Sequence, residues 1–248
     1  MATIFLLVWA VGLWQRENPP FILKNSLWAG VIAMVVSFLV LGFLPLIERL
    51  FNISTSMTML EWCDANNLLL IFDEIVTGFR LARGGAQQYF DVTPDLAVFA
   101  KGMSNGVPLS TYLGRSDVME TVRDVVISST FGGDTLGLAA AKAVIDIYER
   151  EDVIGTLWAR GRQLHEGFAA LANTHQVPVY IAGLPPVGKL ELPSPEARLA
   201  LEAECLRRGV ILYTVLYPNF SHADADINAA LVAIGEALAA VKELGLLN

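Results

Sequence analysis

Apolar residues form short unbroken blocks in the middle of the chain and recur at helical spacing toward its C-terminus. The block 68–72 (LLLIF) ends at Asp73, and the block 96–100 (LAVFA) ends at Lys101. Unbroken apolar runs of this length suit strands buried on both faces of a parallel sheet. In open α/β sheets, ligands bind beyond the carboxyl ends of the strands. The two strands therefore bring one acid and one amine to the candidate binding edge. Helical periodicity predicts helices over 134–150, 153–172 and 195–208, the last closed by Gly209. The Gly- and Pro-rich stretch 183–195 reads as turns between short strands, and 210–213 reads as a strand. Ser221 to Asp224 opens a final helix with an acidic first turn, which Gly245 ends after about Leu244.

The N-terminal pattern is different. Positions 29–47 (AGVIAMVVSFLVLGFLPLI) carry no charge, with Trp28 before them and Glu48-Arg49 after. A helix needs about 20 apolar residues to cross a bilayer core, and flanking Trp and charged residues mark its interfaces. A membrane helix is predicted there. Residues 1–14 are also uncharged but shorter, and read as a second short span or a signal-like segment. Membrane association through residues 1–50 is the expectation, with the following domain cytoplasmic. If the segment does not insert, the whole chain is expected in the cytoplasm.

Composition sharpens this division. Residues 1–60 hold three basic and two acidic side chains, whereas the remainder holds 14 basic and 23 acidic ones. An acidic balance of 17 Lys+Arg against 25 Asp+Glu leaves no basic footprint for nucleic acid. The two cysteines, Cys63 and Cys205, exclude a disulfide scaffold and read as free buried thiols. His165, His175 and His222 lack ligand spacing, so no metal site is expected.

The chemistry concentrates between Asp73 and Thr135. A pyridoxal-phosphate site needs a lysine amine for the aldehyde carbon, a carboxylate for the pyridine nitrogen, and amides or hydroxyls for the phosphate. Lys101, Asp73 and the turn Ser129-Thr130-Phe131-Gly132-Gly133 offer these three groups. A lysine that moves protons works best with a lowered pKa, which burial near cationic cofactor atoms supplies.

The stretches FDEIVTGFR, PDLAVFAKGMSNGVPLSTYLGR, SSTFGGDTLGLAAAKAV and SHADADINAALVAIGEAL resemble class III aminotransferases, nearest to the glutamate-1-semialdehyde 2,1-aminomutase branch. The resemblance covers about 180 residues from about Asn67 onward. It implies pyridoxal 5′-phosphate as cofactor, Lys101 as Schiff-base lysine and proton shuttle, and Asp73 on the pyridine nitrogen. It also implies Val76 packed on the ring and Thr130 on the phosphate of a neighbouring subunit's cofactor, hence a homodimer. Glu74 and Arg80 belong to the motif as structural supports. The substrates implied are small-molecule amino donors and acceptors. No arginine lies between Gly209 and Asn248, where many members of the family bind a carboxylate, which weakens the case for an α-keto acid partner.

Only 72 residues precede Asp73. The family's earlier strands, phosphate-gripping turn and ring-stacking aromatic have no counterpart among them. Residues 28–66 resemble instead the last membrane span and exit linker of seven-span HD-domain phosphohydrolases. That family's His-Asp pair is missing, since the histidines read His165-Glu166, His175-Gln176 and His222-Ala223.

The expected fold is α/β: an incomplete type I pyridoxal-phosphate transferase with a partial large-domain sheet and a C-terminal small α+β domain, preceded by one or two membrane helices. Its expected segments are 1–60, 61–165 and 166–248, with the two families joined near 64–68. Three functions compete. They are amino-group transfer through Lys101, an inactive membrane-tethered remnant or fusion, and a membrane fragment of a cyclic-dinucleotide phosphodiesterase.

Overall fold

The computed structural model describes residues 6–9, 59–124 and 132–247. These fall into two compact units. One contains residues 6–9, 59–78, 86–124 and 132–141, and the other contains 79–85 and 142–247. The apolar run 29–47 lies outside the described residues. Among the described residues, no helix is long and apolar enough to cross a membrane.

The first unit is built on a four-stranded sheet: β1 (Leu6–Trp9), β2 (Leu69–Asp73), β3 (Leu96–Phe99) and β4 (Thr111–Gly114), in that spatial order. β2 and β3 are parallel, and both outer pairs are antiparallel. Helix α1 (Met59–Ala65) precedes β2 and buries Cys63 completely. Burial pushes the Cys63 thiol pKa up, as suits an inert packing residue. The segment α1–turn–β2 is one continuous unit, with Leu68 N–H donating to Cys63 O at 2.9 Å. Leu6–Trp9 is a strand lying within a stretch expected to be a short membrane span. It donates and accepts along the edge of β2 that β3 leaves open.

The sheet departs from expectation in its burial. Leu70 and Phe72 are buried, while Leu69 and Ile71 are only partly covered. β3 alternates in the same way, with Ala97 and Phe99 buried. One face is therefore closed, and the described residues cover the other only in part. An unbroken apolar run does not by itself reveal which layer lies over each face.

Gly78 follows the turn after β2. A Cβ there would sit 2.5 Å from the Phe99 ring and 2.7 Å from Glu74 O. The backbone must pass this close to the core, so a side chain overpacks it. Gly78→Ala is expected to lower stability by about 1–3 kcal/mol, read as a lower urea midpoint at unchanged slope. An unchanged midpoint would show that the Phe99 ring moves aside freely.

The second unit packs helices on a three-stranded antiparallel meander. After helices α2 (Gly85–Phe90) and α3 (Ser116–Met119), helix α4 (Thr135–Arg150) follows, and its residues from 142 onward belong to this unit. Helix α5 (Val153–His175) is capped by Asp152, whose carboxylate accepts from Gly155 N at 2.9 Å. It buries Val153, Leu157, Gly161, Leu164, Phe168 and Ala172, which form one helical stripe. β5 (Tyr180–Leu184), β6 (Val187–Glu191), helix α6 (Pro195–Arg207), β7 (Val215–Leu216) and helix α7 (Asp224–Glu243) complete the unit. Ser194 caps α6 with Pro195 at its first turn, and Gly209 follows it at φ 81°. The core joins Phe168, Leu201, Ile234, Leu238 and Val241, all nearly inaccessible, to the buried Cys205. Burial pushes the Cys205 thiol up to about 11.

Two C-terminal expectations are settled differently. Residues 210–213 form no strand, and the third strand is Val215–Leu216. Ile211 and Tyr213 are largely exposed there. Leu190 N–H reaches Thr214 O at 2.8 Å instead, so pairing begins one residue beyond the expected run. The final helix does open with an acidic turn, Asp226 accepting from Ala223 N at 2.8 Å.

His165 on α5 lies against Gly188 of β6, and its Nε2 is buried without a partner among the described residues. Burial lowers the imidazole's pKa. The folded state then binds this proton less readily than the unfolded chain, whose value is about 6.5. The neutral His165 is thus compatible with folding above that value, and stability falls as pH drops below it. The urea midpoint is expected to fall between about pH 7.5 and 5.5, and His165→Gln to flatten that slope. An equal slope in the variant would assign the pH effect to other groups.

Candidate functional site

Asp73 is the last residue of β2, and Lys101 follows β3 after Ala100. The two strands are parallel neighbours, with Asp73 in register with Val98 and Glu74 N–H donating to Val98 O at 2.8 Å. Neighbouring strands lie about 4.8 Å apart. Both ionisable residues therefore leave the sheet at the same edge, the carboxyl ends of the only parallel pair among the described strands.

Asp73 is half-buried. Its Oδ1 accepts from Ile75 N–H at 3.0 Å, which fixes the carboxylate over the turn. Oδ2 has no partner among the described residues and is available to a donor from a ligand. Val76 lies in the same turn, partly covered.

Lys101 is exposed and adopts φ +47°, the left-handed region that disfavours residues with a Cβ. It opens the 3-10 turn Lys101–Met103, and its carbonyl accepts from Ser104 N at 3.2 Å and Asn105 N at 2.9 Å. Strained backbone persists where surrounding structure fixes it, and it concentrates at functional sites. This signal is invisible in the sequence, because nothing about a lysine before a glycine announces a positive φ.

Thr130 lies outside the described residues. Gly132 and Gly133 are exposed and lead into α4, where Asp134 Oδ1 accepts from Leu136 N at 3.2 Å.

Glu74 has a role that sequence reasoning left as general support. Its carboxylate is fully buried and accepts from Ala86 N and Gln87 N, each at 2.8 Å, and from the Thr77 hydroxyl. Ala86 and Gln87 begin the short helix α2 (Gly85–Phe90), whose first amides have no partner within the helix. The acid thus caps α2 and ties it to the Asp73 turn. Arg80 is held inside the second unit: its Nη2 donates to Pro186 O and Pro218 O, each at 2.7 Å. Asp95 plays a similar part at the opposite end of the strands. It accepts from Leu70 N at 2.8 Å and pairs with Arg115 at 2.5 Å.

The model of the family described as "Aminotransferase class-III" matches residues 54–238. The chain belongs to the class III aminotransferases. A glutamate-1-semialdehyde 2,1-aminomutase of Syntrophobacter fumaroxidans is 33% identical over 202 residues, 73% of this chain and 47% of that protein. A 3-aminobutyryl-CoA aminotransferase of Cloacimonas acidaminovorans is 34% identical over 193 residues, 74% of this chain and 47% of that protein. Among solved structures, the FumI protein of Sphingopyxis sp. MTA144, in its PLP internal aldimine form, superposes with a TM-score of 0.70. It is 27% identical, over 76% of this chain and 47% of that one.

The chain thus spans about half the length of the curated relatives it matches. Class III aminotransferases work with pyridoxal 5′-phosphate. The family match starts at residue 54, ahead of the expected start near Asn67. The junction placed at 64–68 therefore lies inside the aminotransferase region, and α1 belongs to it. Of the segment resembling an HD-domain linker, residues 28–58 lie outside the described residues.

Proposed function

We propose that this chain carries the lysine and aspartate of a pyridoxal-phosphate site that transfers amino groups, as an aminotransferase or a 1,3-aminomutase. One observation carries the reading: Asp73 and Lys101 leave adjacent parallel strands at the same sheet edge. The donor set fits the cofactor. An accessible carboxylate oxygen suits a protonated ring nitrogen, and an amine without a described partner suits an aldehyde. When bound, pyridoxal 5′-phosphate supplies that aldehyde carbon and a ring that takes up an electron pair.

The chain's own residues do the rest. Asp73, oriented by Ile75 N–H, would accept the hydrogen bond of the ring nitrogen and keep its proton in place. Val76 packs on the ring. Lys101 would hold the cofactor through its amine, and the same amine would take up and return a proton at the substrate carbon. Thr130 binds phosphate, in a homodimer that of the partner's cofactor. Small-molecule amines and carbonyl compounds are the substrates. Relatives named as an aminomutase and as a CoA-thioester aminotransferase support the reaction class without choosing a substrate.

The test is cofactor retention. The full chain is incubated with pyridoxal phosphate, desalted and compared with Lys101→Ala by visible absorbance. A retained band lost in the variant supports the reading. No Lys101-dependent band would overturn it, leaving a class III chain without the family's chemistry.

A further inference from the structure

The loop after β3 is built on positive φ. Lys101 sits at φ +47°, Asn105 at +46° and Gly106 at +103°. A left-handed conformation costs a residue with a Cβ free energy, so neighbouring bonds must hold it. The bonds that hold Lys101 come from its own loop. Its carbonyl accepts from Ser104 N–H at 3.2 Å and from Asn105 N–H at 2.9 Å. Ser104 is buried, only 2% exposed, and it grips Val107 twice. Its hydroxyl donates to Val107 O at 2.5 Å, and its carbonyl accepts from Val107 N–H at 3.3 Å. Between them stand Asn105 and Gly106, the pair that best tolerates positive φ at both central positions of a tight turn. A Cβ at Gly106 would meet nothing within 4 Å, so its φ alone calls for glycine. The turn 104–107 is thus closed by its own bonds, and two of its amides lie on Lys101 O. All of these residues belong to one compact unit.

We propose that Ser104 is a positioning residue for Lys101. Its buried hydroxyl holds the 104–107 turn closed, and the closed turn keeps Ser104 and Asn105 N–H on the Lys101 carbonyl. With that carbonyl pinned, Lys101 stays left-handed and its Cβ leaves the end of β3 in one fixed direction. Without the hydroxyl, Val107 O loses a donor and the turn opens more often. Lys101 then relaxes toward the extended or right-handed regions that a residue with a Cβ prefers. Its amine is no longer presented from a fixed point. The consequence for the cofactor rests on the reading of Lys101 given above; the backbone coupling does not.

Hydrogen exchange of the Ser104 and Asn105 amides reads the coupling in the full chain without added cofactor. Ser104→Ala is expected to speed exchange there about fivefold. Gly106→Ala strains the same turn without a packing clash and is expected to do likewise, so it tests the clamp if Ser104→Ala does not fold. Cys63→Ala, a core substitution on α1 of the same unit, is expected to match wild type at these amides. The deciding measurement repeats both turn variants in a Lys101→Gly chain. Glycine holds positive φ at no steric cost, so the acceleration is expected to fall below about twofold. A hydroxyl that only stabilised its own turn would speed exchange equally in both backgrounds, and that result overturns the proposal. Unchanged exchange in Ser104→Ala and Gly106→Ala also overturns it, as does equal acceleration in Cys63→Ala. With pyridoxal phosphate, the dissociation constant read from the Lys101-dependent band is expected to rise about fivefold in Ser104→Ala. An unchanged constant overturns the positioning role. A wild-type chain without that band overturns the cofactor reading alone, and the exchange comparison still judges the clamp.

Discussion

Lys101→Arg is expected to remove the cofactor-dependent visible band and to lower amino transfer by at least 10²–10⁴-fold, roughly the contribution of a positioned proton carrier alone. Arginine keeps the positive charge, so the variant separates electrostatics from chemistry. A guanidinium is protonated at any working pH and neither attaches to an aldehyde nor relays a proton. The fold is expected to tolerate it: Lys101 is exposed, and stability should stay within about 0.5 kcal/mol of wild type. Lys101→Gly gives the complementary result. Glycine adopts φ +47° without the Cβ clash, so the inactive variant is expected to gain up to about 1 kcal/mol. Urea unfolding reads that gain, and amino transfer with a panel of amines reads the loss. A band that persists in Lys101→Arg would remove Lys101 from the chemistry. A less stable Lys101→Gly would mean that the lysine side chain itself supports the fold.

The largest loss of stability is expected at Glu74→Ala. The substitution removes the acceptor of two helix-initiating amides and of the Thr77 hydroxyl. Each buried donor left unpaired costs about 1–3 kcal/mol, so the expected total is about 2–5 kcal/mol. That is a large part of the 5–15 kcal/mol that typically holds a domain together. Glu74→Gln is expected to lose about half as much, because one carboxamide oxygen still accepts while its NH₂ opposes the other amide. Urea midpoints of the full chain measure both. Equal losses in the two variants would show that charge at the start of α2, rather than acceptor count, carries the effect. A loss under about 0.5 kcal/mol would show that water replaces the carboxylate at these donors.

Much was legible in the sequence because it is local. Helical periodicity marked α4, α5, α6 and α7 to within a few residues, and Ser194, Pro195 and Gly209 marked the ends of α6 through local backbone preferences. The blocks ending at Asp73 and Lys101 read as strands, and both are strands. The family was legible too, because its motifs put chemically particular residues at strand ends and turns. Other features depended on partners distant in the chain. Residues 210–213 have the composition of a strand, but β6 pairs with 215–216, so the ladder decides. Glu74 and Arg80 read as supports, yet their partners, Ala86, Gln87, Pro186 and Pro218, lie 12 to 138 positions away. The sequence by itself determined where the C-terminal helices and the two central strands lie and which groups are chemically able to act, since these depend on side-chain type and nearest neighbours. Only the tertiary structure decided that the strands ending at Asp73 and Lys101 are direct parallel neighbours, that Lys101 bears left-handed backbone, and that the buried Glu74 ties the turn after β2 to the start of α2. Those properties arise from strand pairing and from the need to satisfy every buried polar group, neither of which is encoded in any one stretch of chain.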